Sequence, residues 1–409
     1  MNGERNCFQR DDVGDFKLLE TIGKGAFAVV KAGIHKPSLA KVAIKILDKT
    51  KVTEDKLGRE LIISKDMDFP YIIKYYDFIE EKGKHYLIME RIEGRNLLEI
   101  VNNDSFLSVE RIKRYFTQMI AAIDYMHNSL HTAHRDIKLE NILIDPGDNI
   151  RIIDFGLSNI YEENVCLRTA VGSPPYAPPE IIQGQKYTNS VDVWSAGVVL
   201  YAMVYKALPF IDNNPNKLMS MILLAQPKYN DDESFSVVND LIKRMLSKNP
   251  ESRITIDGIL AHPFIKCDSL ISKFARIINN YFQLIVDDSF WLSIDGKIKS
   301  LESYEVLNER QIQVTRSILT RVKICEMMKS GELESIEIKK KIPKAETNIK
   351  PNNTKQISNP LPPLRSNHKE SPKQEPQARK ILALTTSIQR TAVHRSRTRS
   401  FSQSKGIDA

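Results

Sequence analysis

An α+β fold is the class this 409-residue sequence predicts, on three observations. Strand-like apolar runs stand at Phe16, Leu18 and Leu19, at Val29-Val30, and at Val42-Ala43-Ile44-Lys45-Ile46-Leu47. Within residues 111–127, Ile112, Tyr115, Phe116, Met119, Ile120, Ile123 and Met126 recur at three- and four-residue intervals, the core face of a helix. Later, Ile142-Leu143-Ile144 and the group Ile150, Ile152 and Ile153 flank the turn-forming cluster Asp145-Pro146-Gly147-Asp148-Asn149. That pattern is a hairpin with Asp154 at its exit. Of the remaining elements, residues 56–66 read as a helix carrying Glu60. Residues 191–205 read as a buried helix, because they include Asp192 and fall short of the roughly 18 apolar residues of a membrane span.

Length alone suggests two to three domains, and 42% hydrophobic residues suffice for at least one large core. Cys7, Cys166, Cys267 and Cys325 lie far apart with no paired spacing, which argues against a disulfide framework or a zinc site. Widely spaced thiols suit a reducing compartment, and the expected location is cytoplasmic or nuclear. The first residues show no apolar leader, and Met1-Asn2-Gly3 lacks the glycine at position two that myristoylation requires. The net charge of +8 is concentrated at the end: residues 341–409 hold fourteen Lys and Arg against four Asp and Glu, leaving the rest slightly acidic. That tail also has seven of the 19 prolines and long polar runs, so it is expected to be disordered.

The motifs carry the chemistry. Thr21-Ile22-Gly23-Lys24-Gly25-Ala26-Phe27-Ala28-Val29-Val30 sets glycines at a turn between strands, where bare backbone N–H groups can approach phosphates. A dinucleotide-binding fold would need a helix next; a strand follows instead, and its Lys45 can neutralise phosphate charge. Glu60 is the expected ion-pair partner of Lys45, a contact valued for geometry, since exposed pairs contribute under ~1 kcal/mol. His134-Arg135-Asp136, Lys138, Asn141 and Asp154-Phe155-Gly156 then bring a carboxylate able to receive a hydroxyl proton together with a lysine, an amide and a second carboxylate. Phosphoryl transfer from magnesium-bound ATP requires this set, and the oxygens of Asn141 and Asp154 suit Mg²⁺.

These motifs, with Val42-Ala43-Ile44-Lys45 and Pro178-Pro179-Glu180, resemble the eukaryotic protein kinase family in order and spacing over residues 14–265. The resemblance implies a small β-rich lobe (about 14–90) and a larger helical lobe (about 91–265), followed by a partly ordered extension (266–340) and the tail. ATP would sit between the lobes, against Ile22, Gly23, Lys24, Gly25, Ala26, Phe27, Ala28, Val30, Ala43 and Lys45. Met89 would border the adenine pocket, and Glu90, Arg91 and Ile92 would form the hinge. Within the family, Arg168-Thr169-Ala170-Val171-Gly172-Ser173-Pro174-Pro175-Tyr176 and Asp192-Val193-Trp194-Ser195-Ala196-Gly197 look like the calcium/calmodulin-dependent group, most like the AMP-activated and Snf1-like kinases. Lys138 is similar to the serine/threonine pattern. The resemblance makes Asp136 the base, Lys138 the charge-balancing group, and Asn141 and Asp154 the metal ligands. It also assigns Thr169 as an activating phosphosite read by Arg135 and dependent on an upstream kinase, and Glu180–Arg253 as a structural pair.

Three departures qualify that pattern. Ala28 replaces the third glycine. Asn96 stands where the family has a glutamate touching ribose and a basic substrate residue, leaving Glu140 for an upstream arginine. Ser64 occupies a position where a leucine packs beneath Phe155 and His134, unless a one-residue register difference puts Ile63 there. These departures motivate an alternative reading as a nucleotide-binding pseudokinase scaffold, countered by the presence of Lys45, Glu60, Asp136, Asn141 and Asp154.

In the extension, Tyr281-Phe282-Gln283-Leu284-Ile285-Val286 and Phe290-Trp291-Leu292 indicate order, packed on the larger lobe. Residues 310–329 are basic and carry Ile312, Ile318, Leu319, Val322 and Met328, a packing helix or an autoinhibitory or calmodulin-binding one. Asn359-Pro360-Leu361-Pro362-Pro363-Leu364 suits polyproline geometry, and the serines that follow arginines at 394–402 suit a basophilic kinase. Protein substrates with Ser or Thr acceptors are the expected partners; a regulatory subunit stays open, a membrane is not expected, and a solvated basic tail is preferred to nucleic-acid binding.

Overall fold

The computed structural model describes residues 12–335, apart from 26–27, 51, 53–56, 59, 64–66, 105–106, 156–157, 161–172, 267, 285–287 and 303–306. Ala26, Phe27, Ser64, Gly156, Thr169, Cys7, Cys166, Cys267 and the basic tail therefore lie outside the described residues.

Alternating apolar residues build an antiparallel sheet of β1 (Asp12–Val13), β2 (Phe16–Lys24), β3 (Ala28–His35), β4 (Lys41–Asp48), β5 (Tyr75–Glu81) and β6 (Lys84–Glu90), ordered β1-β2-β3-β4-β6-β5. Pairing of β4 with β6 sets Lys45 opposite Leu87 and Ala43 opposite Met89. One face of this register carries Val42, Ile44 and Ile88 into an apolar cluster on the side away from the cleft.

A short link joins β6 to the larger lobe. There Gly94 passes so close to β9 (Ile142–Ile144) that a Cβ would lie 1.8 Å from the Ile144 carbonyl oxygen. Only glycine fits, and the contact lets β7 (Arg95–Asn96) pair with β9, which pairs in turn with β10 (Ile150–Ile152). The larger lobe is otherwise helical: α1 (Leu97–Asn103), α2 (Val109–Asp124), α3 (Ser190–Tyr205), α4 (Pro215–Leu224) and α5 (Ser236–Met245). All seven apolar residues of the periodic stretch around α2 are buried. In α3 nearly every side chain is buried, so this helix forms the centre of the lobe.

The extension folds into α6 (Asp268–Leu284), α7 (Asp288–Glu302) and α8 (Glu309–Ser330). It packs on more than the larger lobe. Val314 and Ile318 of α8 complete the sheet-face cluster with Val13, Phe16, Val42 and Ile44, while Phe274 and Ile278 of α6 join the core of the larger lobe. Ile318, Ile324 and Met327 are buried within this packing, which favours the packing-helix reading of residues 310–329. The ends of α8 are fixed by a capping box between Asn308 and Gln311 and by Gly331 at φ 78°.

Arg321 carries the tightest link. Its guanidinium lies 3.0 Å from Glu90 Oε2 and donates to the Ile72 carbonyl at 2.8 Å, with both side chains buried. Arg151 approaches the same carboxylate at 3.5 Å and holds Asp145 at 3.1 Å. Cys325 Sγ donates to Glu90 Oε1 at 3.2 Å. Burial alone would raise the Glu90 pKa, but the two guanidiniums hold it below the usual carboxylate range. Removing one partner of such a cluster strands a desolvated charge, so Arg321→Met should cost about 3–5 kcal/mol. Urea unfolding should also give a Glu90→Gln/Arg321→Met loss smaller than the sum of the two single losses.

Candidate active site

The cleft is built on a loop that the backbone does not favour. Arg135 and Asp154 adopt left-handed φ of 68° and 64°, conformations that cost a non-glycine residue roughly 1–3 kcal/mol. Asp192, fully buried in the first turn of α3, offsets that cost at Arg135. Its carboxylate accepts from the backbone N–H groups of His134 (2.8 Å) and Arg135 (2.7 Å) and contacts His127 Nε2 at 2.8 Å. Burial would raise its pKa; the His127 contact and the donors from the loop pull it below the ordinary aspartate value. The helix N-terminus adds a favourable field. A wide helical turn, Tyr125–Ser129, carries His127 to this position at the end of α2.

His134 is buried and its pKa is lowered chiefly by desolvation, so the ring is neutral. Its Nδ1 accepts from Asp136 N–H at 3.2 Å, which leaves Nε2–H facing the Ile153 carbonyl at 3.3 Å. The ring also packs edge-on to Phe155 (5.1 Å), which packs edge-on to Tyr75 (6.5 Å). Ile63 is buried in the same apolar core as Phe155.

Around Asp136 the polar groups converge. Lys138 Nζ lies 2.7 Å from Asp136 Oδ2, and Ser173 Oγ donates to Oδ1 at 3.0 Å while accepting from Lys138 at 2.9 Å. Asn141 Nδ2 donates to the Asp136 carbonyl (2.9 Å) and to Oδ2 (3.1 Å), so its amide oxygen remains the group available for a cation. From the small lobe, Lys45 Nζ reaches Glu60 Oε1 at 2.6 Å and Asp154 Oδ1 at 3.0 Å. Burial would lower the Lys45 pKa, but the carboxylates of Glu60 and Asp154 hold it well above the ordinary lysine value, so the ammonium is charged.

Fitness for Mg²⁺ can be judged from the donors. No cluster of three or more His, Cys, Asp or Glu suited to a metal occurs among the described residues. One carboxylate and one amide oxygen, Asp154 and Asn141, suit an ion that takes the rest of its shell from phosphate and water.

The remaining predicted residues fall as follows. Gly23 pairs with Val30 across the β2–β3 hairpin, which Gly25 closes by donating to the Ala28 carbonyl at 2.8 Å; Ile22 is 41% exposed, and Lys24 is exposed. Ala43 and Met89 are neighbours on adjacent strands, and Ile92 is half-buried in the link. Two of these side chains have protein partners. Glu90 directs its carboxylate to Arg321 at 3.0 Å and donates its backbone N–H to the Lys74 carbonyl at 2.8 Å. Asn96 caps α1, accepting from Glu99 N–H at 2.8 Å and donating to its carboxylate at 2.6 Å. Exposed Glu140 accepts from the Tyr176 hydroxyl at 3.3 Å. Glu180 and Arg253 form a bidentate pair at 2.7 and 3.0 Å, both buried, with the guanidinium 5.3 Å from the Trp194 ring centroid.

Sequence reasoning missed Asp192, Ser173 and Gly94. A signal existed for Asp192: a lone carboxylate in an apolar helix must meet donors when buried. Ser173 and Gly94 gave none, since their contacts join residues 35 or more positions apart.

Residues 16–265 match the model of the protein kinase domain. The chain is 38% identical over 263 residues to the serine/threonine-protein kinase SIK2 of Gallus gallus, covering 63% of this chain and 32% of that protein. It is 38% identical over 255 residues to the SNF1-related protein kinase catalytic subunit alpha KIN12 of Arabidopsis thaliana, covering 61% and 51%. The matched segment thus spans about a third to a half of these relatives. With the two lobes and the paired Lys45 and Asp154 between them, the match over residues 16–265 establishes that this chain belongs to the protein kinase domain family.

Proposed function

We propose that the chain is an active serine/threonine protein kinase transferring the γ-phosphoryl group of ATP to Ser and Thr hydroxyls of proteins. The observation that carries this reading is the Lys45 ammonium held between Glu60 and Asp154, residues from both lobes gathered at one cleft. No observation favours the scaffold alternative.

The chemistry follows from the groups present. Asp136 accepts the proton of the acceptor hydroxyl, and Ser173 and Asn141 fix the direction of its carboxylate. Lys138, 2.7 Å from Asp136, balances charge on the group in transit. Lys45 holds the nucleotide phosphates, and Gly23 and Gly25 allow backbone N–H groups to approach them. Asn141 and Asp154 would hold Mg²⁺, which supplies charge neutralisation when bound. Positioning and electrostatics do most of the work, since phosphoryl transfer leaves little covalent chemistry to the protein.

The names of the relatives and Lys138 together support Ser/Thr acceptors. Exposed Glu140 supports a preference for an upstream Arg or Lys, and a randomised peptide array should show enrichment of basic residues before the acceptor. Thr169 would act as an activating phosphosite for an upstream kinase, its phosphate adding about −1.5 to −2 charge for Arg135 to meet.

Two variants test the core of this reading. Asp154→Ala should unfold at nearly the wild-type temperature yet lose turnover by orders of magnitude with Mg·ATP and peptide; wild-type turnover from it would refute the assignment. Thr169→Ala should resist activation by an upstream kinase that activates the parent chain, and mass spectrometry should find phosphate at Thr169 only in the active parent.

A further inference from the structure

Between the extension and the kinase domain lies a cavity of about 350 Å³, walled by α6, α7 and α8 and by Asp68 and Lys74, which precede β5. That size falls near the lower end of small-molecule sites, about 300–1000 Å³. On α8, Gln313, Ser317, Thr320 and Ile324 line it at intervals of four, three and four residues, so they share one face of the helix. The face is polar over three of its four positions. Among the described residues, the buried Oγ1 of Thr320 has no hydrogen-bond partner. Half-buried Trp291 of α7 supplies an aromatic part of the lining.

The charges of the cavity are already matched. Lys74 pairs with Asp68 at 3.0 Å, Arg316 with Asp295 at 2.7 Å and Arg321 with Glu90 at 3.0 Å. Tyr281 adds a hydroxyl that donates to Asp68. An ionic ligand would have to break one of these pairs, and a wholly apolar one would cover the polar face of α8 without giving it partners.

We propose that this cavity binds a neutral ring polyol, a free hexose or a cyclitol. Ser317, Thr320 and the Gln313 amide each both donate and accept, as the hydroxyls of such a ring do. The C–H face of the ring fits the apolar surface of Trp291. Occupancy would join α7 and α8 to the segment that leads into β5.

The test is saturation-transfer NMR and equilibrium dialysis of the full chain with glucose, myo-inositol and glucose 6-phosphate, each below about 10 mM so that general polyol stabilisation stays small. Glucose or myo-inositol should bind saturably at one site, and the one that does identifies the source. Excess Mg·ATP should leave that binding unchanged, which separates it from the cleft. Glucose 6-phosphate should bind about tenfold or more weakly, since its charge finds no unpaired cation. Thr320→Val and Ser317→Ala should each weaken the neutral ligand about tenfold, as in sites built to hydrogen-bond a hydroxyl. Thermal unfolding checks that each variant is folded, and either one suffices if the other is not. No saturable binding of either neutral polyol, equal binding of the phosphate, displacement by Mg·ATP, or parent-like affinity in a folded variant would overturn the proposal.

Discussion

The buried carboxylate of Asp192 is the constraint on which the cleft depends. The loop from His134 to Asn141 must present Asp136, Lys138 and Asn141 to one point, and it does so with Arg135 in a left-handed conformation. Such a backbone persists only where the surroundings over-determine it. Asp192 does this by taking two successive N–H groups, and it is itself retained by His127 and by its place at the start of α3. A desolvated aspartate would be unfavourable anywhere else in that helix. Here the burial that destabilises the charge also strengthens each bond it accepts.

A second set of contacts joins the lobes. Lys45 belongs to the sheet and Asp154 to the exit of the β9–β10 hairpin, and their 3.0 Å contact spans 109 residues of sequence. Phe155, one residue on, packs between His134 and Tyr75, so the same short segment places a carboxylate in the cleft and an aromatic ring in the core. Asp154 takes a left-handed backbone, φ 64°, at the point where the two side chains diverge.

Much of this was legible in the sequence because the signals were local. The periodicity of residues 111–127, the hairpin cluster at 145–149, the glycines between strands and the spacing from His134 to Asp154 each report a few neighbouring residues. Long-range partners were not legible. Glu90 reads as a hinge residue, yet its carboxylate is directed by Arg321, 231 positions later, and no local pattern encodes that. Asn96, expected beside the nucleotide, also caps the start of α1, a contact within three residues that the family motif does not report. The sequence places the extension on the larger lobe; its helix α8 also covers the outer face of the sheet, where Val42, Ile44 and Ile88 require an apolar cover.

That cover has a consequence for where the folding unit ends. The family match stops at residue 265, but a chain cut there would leave Glu90 and Arg151 without Arg321 and would open Phe16, Val42 and Ile44 to water. The evolutionary module and the thermodynamic module therefore have different borders. The segment that would be trimmed as an appendage is part of the wall of the small lobe, and solubility of the catalytic part is expected to require it.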